Sequence, residues 1–234
     1  MYKNILVPLD GSKTAEAVLP YARLLAGALQ LPVVLLHVGD PDTVSPSLHA
    51  TWAADYLNQV AASLLSQFTV SCVVKSGAAP ELILDTAAAD AGSLIAMATH
   101  GQTGGQRWLL GRIAQKVLQA SKNPLLLIRP QDGTPAKDGV QLVTMIVPLD
   151  GSHLAEQIFP HAVYFATKLG LQMILVRTYT LPTASYYLAA HVAPPDMAEL
   201  REKTKKEIAD YLQAKVEELT AAGIEKITTV VAEG

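Results

Sequence analysis

One cysteine, Cys72, stands among 234 residues, which excludes an internal disulfide framework and any cysteine-rich zinc site. It sits in an apolar stretch, where a buried and inert thiol is the expectation, and so little cysteine fits a reducing, cytoplasmic setting. Charge is also scarce. Only 17% of positions are charged, the formal net charge is −3, and no run of Lys and Arg gathers into a patch. The footprint needed to grip a nucleic-acid backbone or an anionic membrane surface is missing, so neither partner is expected. Long apolar runs are absent as well: no window approaches the ~20 residues of a membrane span. Met1-Tyr2-Lys3-Asn4 leads into an apolar run too short for a secretion signal and closed at once by Pro8 and Asp10. What the chain does have is 50% hydrophobic residues, enough to build real cores and to set intrinsic disorder aside.

A repeat organises those residues. Val7-Pro8-Leu9-Asp10-Gly11-Ser12 recurs unchanged as Val147-Pro148-Leu149-Asp150-Gly151-Ser152, an offset of 140 positions. Aligned at that offset, residues 4–38 and 144–178 share 14 identities in 35 positions, among them Ala15/Ala155, Glu16/Glu156 and Pro20/Pro160. Residues 131–140, rich in Pro, Gly and Asp and without periodicity, read as a linker between domains at 1–130 and 141–234.

The first copy alternates strand and helix patterns. Residues 5–9, 33–38, 70–74, 94–98 and 125–128 are short apolar runs of the kind that strands buried on both faces show. Between them, apolar residues recur at helical spacing: Ala15, Val18, Leu19, Ala22, Ala26 and Leu29; Trp52, Tyr56, Val60 and Leu64; Leu82, Ile83 and Ala87; Ile113, Val117 and Leu118. Pro20 falls inside the first of these helices and predicts a bend, repeated at Pro160. The order β-α-β-α-β-α-β-α-β implies right-handed crossovers, a doubly wound parallel five-stranded α/β sheet, and a ligand crevice at the carboxyl ends of the strands where strand order reverses.

The second copy keeps less of this pattern. Residues 227–231 align with the third strand of the first copy at an offset of 157, that is 157 − 140 = 17 inserted residues, and nothing corresponds to residues 78–129. Its first strand would be an uncovered edge, so the expectation is that a longer natural polypeptide or a partner completes this sheet. A mixed-charge helix from about 195 to 219 precedes the last strand and reads as a solvated face with i, i+4 pairing.

Chemistry-bearing residues gather at strand ends. Residues 98–112 leave a buried strand, carry four glycines and enter a helix. Such a loop can cradle an anion, because glycine lets backbone N–H groups approach closely and the helix end adds partial positive charge; the alternative is a surface loop whose glycines merely turn the chain. Asp10 ends the first strand and either accepts from a ribose or base group or serves the helix start, and its repetition as Asp150 does not choose between the two. Asp10, Ser12 and His100 lack the nucleophile elbow of a hydrolytic triad, and the six histidines show no metal-ligand spacing. Tyr186-Tyr187-Leu188 reads as loop packing before it reads as an interaction patch.

Taken together, Ile5-Leu6-Val7-Pro8-Leu9-Asp10-Gly11-Ser12, Leu36-His37-Val38, Met97-Ala98-Thr99-His100-Gly101 with Gly111 ten residues on, and Pro124-Leu125-Leu126-Leu127-Ile128-Arg129 closely resemble the universal stress protein A family. The resemblance implies a sheet of order 3-2-1-4-5 of the adenine nucleotide alpha hydrolase-like type, dimerisation through the fifth strand and, in one subclass, ATP in the switch-point crevice. It would set Asp10 with the backbone of Pro8, Leu9, His37 and Val38 toward the adenosine, and Gly101, Gly111, Arg112 and Ile113 toward the phosphates. The subclass phosphate loop is Gly, two residues, Gly, nine residues, Gly, then Ser or Thr; here the positions hold Ala98, Gly101, Gly111 and Arg112. Arg112 replaces a hydroxyl and either blocks the crevice or pairs with phosphate oxygens.

Two readings follow. In the first, the chain is a stress-response regulatory protein that binds ATP or AMP, with Mg2+ where ATP is bound, and does not turn it over fast, so it is not an enzyme. In the second, it binds no nucleotide and acts by assembly, with Leu125–Ile128 pairing between chains in a homodimer.

Overall fold

The computed structural model describes residues 1–41, 45–99, 110–129, 139–182 and 195–234. It divides into two compact units, Met1–Gln141 and Leu142–Gly234. The linker stretch 131–138, the glycine-rich residues 100–109 and the Tyr186-Tyr187-Leu188 segment lie outside the described residues.

Unit one runs β1 (Asn4–Pro8), α1 (Lys13–Glu16), α2 (Leu19–Leu29), β2 (Val33–Gly39), α3 (Pro46–Leu64), β3 (Val70–Ser76), α4 (Ala79–Ala88), β4 (Ser93–Ala98), α5 (Arg112–Ala120) and β5 (Leu125–Ile128). Its strands form one parallel sheet of order β3-β2-β1-β4-β5, the order that the family resemblance implies. β1 lies at the centre because it is apolar on both faces: Ile5, Leu6 and Val7 are all buried, with Ile5 opposite Val33 on one side and Leu94 on the other. Helices α2 and α3 cover one face; α4 and α5 cover the other, over a core of Leu6, Leu36, Ile83, Ile95, Met97 and Val117.

Three expectations are corrected. Pro20 does not bend a helix; it starts one. The chain makes the short helix α1, closes it with Ala17 and Val18 N–H donating to Thr14 and Ala15 carbonyls, and begins α2 with Pro20 in its first turn. There the missing N–H has no intrahelical acceptor to lose. The second correction is of helix facing. Val60 and Val117 are buried as expected, but Trp52 (47% exposed), Ile113 (43%) and Leu118 (50%) turn outward, and Ala53 and Leu57 of α3 and Ala114 of α5 are buried instead. Small residues let these helices approach the sheet along a stripe about one position away from the one that the large residues suggest. Cys72, expected buried, is half-buried on β3, and burial pushes its thiol pKa up.

Unit two contains β6 (Thr144–Pro148), α6 (His153–Glu156), α7 (Phe159–Leu169), β7 (Gln172–Tyr179), α8 (Met197–Ala221) and β8 (Ile227–Glu233), with parallel sheet order β6-β7-β8. Its core joins Val147, Phe159, Met173, Leu175, Ile208 and Leu212. Pro160 repeats the helix restart of Pro20. Ile146 on β6 is 64% exposed, whereas its counterpart Leu6 on β1, flanked by β2 and β4, is 1% exposed. Among the described residues no helix is long and apolar enough to cross a membrane.

Asn123, just before β5, ties the α4–β4 connection together. Its side-chain amide donates to the carbonyls of Ala87 (3.2 Å), Asp90 (3.3 Å) and Ser93 (3.2 Å). Ala87 and Asp90 carbonyls also accept from the backbone N–H groups of Asp90 and Ser93, so removing the amide costs bonds without stranding these two acceptors. Asn123→Ala is expected to lower the free energy of unfolding by about 1 kcal/mol, read from urea denaturation, and a loss below the error of that measurement would show the bonds to be replaced by water.

Candidate functional site

β1 is where strand order reverses, since the chain crosses from β1 toward β2 and β3, then returns to β4 and β5 on the other side. Parallel strands whose connections diverge leave a crevice beyond their carboxyl ends. Here that crevice is a cavity of about 320 Å³. Its floor is apolar, from Leu36, Ile83 and Met97; its rim is polar, from Asp10, Thr99 and Arg112.

Eight of the ten expected residues line it: Pro8, Leu9, Asp10, Val38, Ala98, Gly111, Arg112 and Ile113. His37 does not, and Gly101 lies outside the described residues. Thr99, Ile83 and Ala79 also line the cavity and were not singled out. Thr99 stood inside the quoted Met97-Ala98-Thr99 motif, so its place at a strand end was the available signal. The other two belong to α4, whose approach to the strand ends no local pattern encodes.

The turn after β1 resolves the two roles of its polar residues. Ser12 is the N-cap of α1, accepting from Ala15 N–H at 3.1 Å. Asp10 stands two residues earlier and accepts from Ser12 N–H (2.9 Å) and Ser12 hydroxyl (2.6 Å) through Oδ1, while lining the cavity. The serine does the capping, and the aspartate shapes the turn at the cavity rim. Ser12 is therefore committed to the backbone rather than poised as a nucleophile. The third member of the imagined triad, His100, lies outside the described residues. Among the described residues no three His, Cys, Asp or Glu side chains converge on a metal position.

Opposite Asp10 stands the start of α5. Gly111 is its N-cap, supplies no side chain, and donates its own N–H to Thr99 carbonyl at 2.8 Å, which draws the ends of the glycine-rich segment together. The next three residues, Arg112, Ile113 and Ala114, all line the cavity, and the N–H groups of a first helical turn have no acceptor within their helix. With no side chain capping them, they present the positive end of the α5 dipole to the cavity, and the Arg112 guanidinium adds a full charge.

His37 explains its own absence from the lining. Its ring lies on the opposite, α2–α3 side of the sheet, 3% exposed, with Nδ1 2.9 Å from Leu9 carbonyl and Nε2 3.1 Å from His49 Nε2. A carbonyl can only accept, so Nδ1 carries the proton and donates to Leu9. The neutral ring then offers Nε2 as an acceptor, and His49 Nε2–H donates to it. Trp52 packs edge-on against His37 (centroids 5.5 Å) and stacks on Tyr56 (5.6 Å, 5° between planes), whose hydroxyl donates to Glu16 at 3.0 Å. Two glycines make room. A Cβ on Gly11 would lie 2.7 Å from the Trp52 ring, and one on Gly39 would lie 2.7 Å from His49. Gly11 also holds φ at +83°, where a side chain is strained.

The second copy builds the same corner with other chemistry. Asp150 accepts from Ser152 N–H at 2.8 Å, and Tyr211 hydroxyl donates to Glu156 at 2.8 Å, matching the bond of Tyr56 to Glu16. In place of His37 stands Arg177, its guanidinium against Gly151 and 5.1 Å from the centre of the Tyr211 ring. Hydrogen bonds from Ser152, with a smaller contribution from the Arg177 charge, hold the Asp150 carboxyl below its usual range.

Comparison with known proteins agrees with this architecture. The family model described as "Universal stress protein family" matches residues 1–129. The universal stress protein MJ0577 of Methanocaldococcus jannaschii is 26% identical over 155 residues, 55% of this chain and 96% of that protein. The solved structure of MJ0577 superposes with a TM-score of 0.52 at 27% identity, covering 57% of this chain and 99% of its own. A crystal structure of a universal stress protein from Archaeoglobus fulgidus covers 99% of this chain and 78% of its own with a TM-score of 0.71; at 18% identity this likeness concerns the fold.

Burial is the largest influence on the His37 ring and pushes its pKa below the ordinary 6.5; the bond to Leu9 pulls upward, His49 downward and Asp10 upward. Below that ordinary value the unfolded chain takes up a proton that the folded chain refuses, so stability falls as pH drops from 6.5 toward the lowered folded value. The urea midpoint is expected to decline over that window and to decline less in His37→Asn; equal declines would assign the effect elsewhere.

Proposed function

Because the chain belongs to the universal stress protein family, which its residues 1–129 match, we propose that the first unit is a cytoplasmic regulatory domain that holds ATP or AMP in the β1/β4 cavity without fast turnover. The observation that carries this reading is the uncapped start of α5 facing Asp10 across a cavity with an apolar floor. The positive helix end and Arg112 suit a run of phosphates; the Asp10 turn suits hydroxyl or amine donors; Leu36, Ile83 and Met97 suit the edge of a flat base. At about 320 Å³ the cavity has the size of a small-ligand site. Gly111 spends its N–H on Thr99, so phosphate oxygens would be met by Arg112, Ile113 and Ala114 amides. Arg112 stands at the family's Ser/Thr position and lines the cavity, which favours its pairing with phosphate. Thr99, also on the rim, brings back a hydroxyl near the position where the family pattern has one. Mg2+ would arrive with ATP and is assigned no residue here.

The assembly reading draws on a separate observation. β5 pairs with β4 alone among the described strands, and its Leu125, Leu126 and Leu127 are only half-buried beside the exposed Leu118. A second copy pairing along this edge would cover them. Pairing along β5 and a filled cavity use different surfaces, so dimerisation alone does not choose between the readings; the presence or absence of bound nucleotide does.

Calorimetric titration with Mg-ATP is expected to give micromolar affinity, about −8 kcal/mol, and Arg112→Ala and Asp10→Ala to weaken it about tenfold or more. Binding by Arg112→Ser but not by the parent would make Arg112 a block and leave assembly as the function. By light scattering at micromolar concentration the protein is expected to be a dimer and Leu126→Lys a monomer; a monomeric parent would remove the β5 interface.

A further inference from the structure

We infer that His37 and His49 form a binding site for a divalent transition-metal ion of the kind that imidazole favours, such as Zn2+ or Cu2+, on the α2–α3 side of the sheet. The inference goes beyond the nucleotide reading and does not rest on it. The two rings meet nitrogen first: Nε2 lies 3.1 Å from Nε2, while the ring centres are 5.2 Å apart. Zinc holds histidine nitrogens at about 2.0–2.1 Å, so two of them 3.1 Å apart subtend about 100° at a shared ion, between the angles of square and tetrahedral coordination. Each ligand sits on an ordered element. His37 lies within β2, in register with Val74 of β3, and His49 lies in the first turn of α3, its backbone N–H bonded to Ser45 carbonyl at 3.0 Å.

The surroundings supply more than a hydrogen bond between two rings requires. His37 Nδ1–H is tied to Leu9 carbonyl at 2.9 Å, which fixes the tautomer whose bare nitrogen is Nε2; a ligating histidine is held in the same way through its other ring nitrogen. Trp52 packs against both rings, its centroid 5.5 Å from His37 and 5.4 Å from His49, and gives the site an apolar wall. Gly39 gives it room: a Cβ there would lie 2.7 Å from His49 Cδ2 and 2.8 Å from Nε2, the ligating atom. Without metal, His49 Nε2–H donates to His37. An ion takes both lone pairs instead, so the His49 proton moves from Nε2 to Nδ1 and both rings bind neutral. Among the described residues no third His, Cys, Asp or Glu completes a metal group, so the remaining positions fall to water, and half-exposed His49 marks the entry path.

The second copy shows that this corner can be built without a site. Arg177 stands at the position of His37 and Tyr179 at that of Gly39, so the first ligand becomes a cation and the glycine that makes room for the second is gone. The aspartate turn, its serine cap and the tyrosine–glutamate bond are nevertheless kept. The imidazole pair is thus an addition of unit one and not a demand of the fold.

The test uses the full, untagged, nucleotide-free chain in a Trp108→Phe background, which leaves Trp52 as the single tryptophan, with His49→Gln and Gly39→Ala as variants. Glutamine still donates to His37 Nε2 but removes the second imidazole; alanine keeps both imidazoles and displaces the His49 ring. Calorimetry with ZnCl2 is expected to give one site of micromolar affinity in the parent, weakened about tenfold or more in each variant. One equivalent of CuCl2 is expected to quench Trp52 emission in the parent and not in the variants. Ring-nitrogen NMR is expected to show Zn2+ shifting Nε2 of His37 and of His49 while His37 Nδ1 stays protonated. Zinc is also expected to raise the urea midpoint of the parent alone, because it binds the folded chain. The inference is overturned if the parent binds no Zn2+ up to millimolar concentration, or if the variants bind it as the parent does, which places the ion on other side chains. It is equally overturned if Zn2+ binds and the His37 Nε2 signal does not move. Metal-free urea midpoints check that both variants fold, and the ring-nitrogen measurement on the parent needs neither of them.

Discussion

The parallel pairing of β1 with a neighbour on each side is the constraint on which unit one depends. A strand flanked by two others and covered on both faces must be apolar throughout, which Ile5, Leu6 and Val7 satisfy, and its crossovers must diverge where it ends. The crevice is thus a consequence of strand order before any residue in it is chosen. Sequence then decides what the crevice offers: an aspartate turn from β1, a helix start from α5 and an apolar floor from α4, β2 and β4.

Comparing the two copies separates what this architecture demands from what it permits. Both place Asp-Gly-Ser after the first strand, both cap the short helix with serine, and both tie a glutamate of that helix to a tyrosine of the long helix. Those bonds hold the turn and the long helix to each other, and they recur although the tyrosines lie 40 and 55 residues from their partners. What varies is the filler between turn and helix. Unit one uses His37, His49 and Trp52; unit two uses Arg177 against Tyr211, with Lys215 bridging Glu156 and Glu218. A charged filler needs counter-charges, which unit two supplies; an aromatic and imidazole filler needs glycines to make room, which unit one supplies at Gly11 and Gly39.

The strands were legible as apolar runs, which are local signals; their order, and the eight expected residues that line the cavity, came through the family resemblance, with Asp10 and the glycine-rich loop also legible from their places at strand ends. The facing of α3 and α5 was legible only at Val60 and Val117. Their large apolar residues suggest a stripe containing Trp52, Ile113 and Leu118, yet close packing against the sheet favours Ala53 and Ala114, and large side chains one position away turn outward. Nor could the bond between His37 and His49 be read, since it spans a loop and depends on where α3 begins. Pro20 was legible as a disruption but ambiguous in kind. A proline within an apolar stripe can bend one helix or start the next, and only the closing bonds of Ala17 and Val18 decide for a start.

Arg112 shows how a departure from the family pattern can sit within the same physics. At the first position of a helix with no side-chain cap, a hydroxyl would donate one short bond to an anion already facing the helix dipole. A guanidinium donates two bonds and brings a full charge, at the cost of volume and of the unfavourable placement of a cation beside a positive helix end. On the proposed reading an anion would have a structural part: without one, Arg112 and the α5 dipole repel each other; with one, both would face a common counter-charge. A hydroxyl is indifferent to whether the site is filled, whereas Arg112 is not. On the proposed reading, the residue that departs from the family pattern would be the one that couples the start of α5 to occupancy of the cavity.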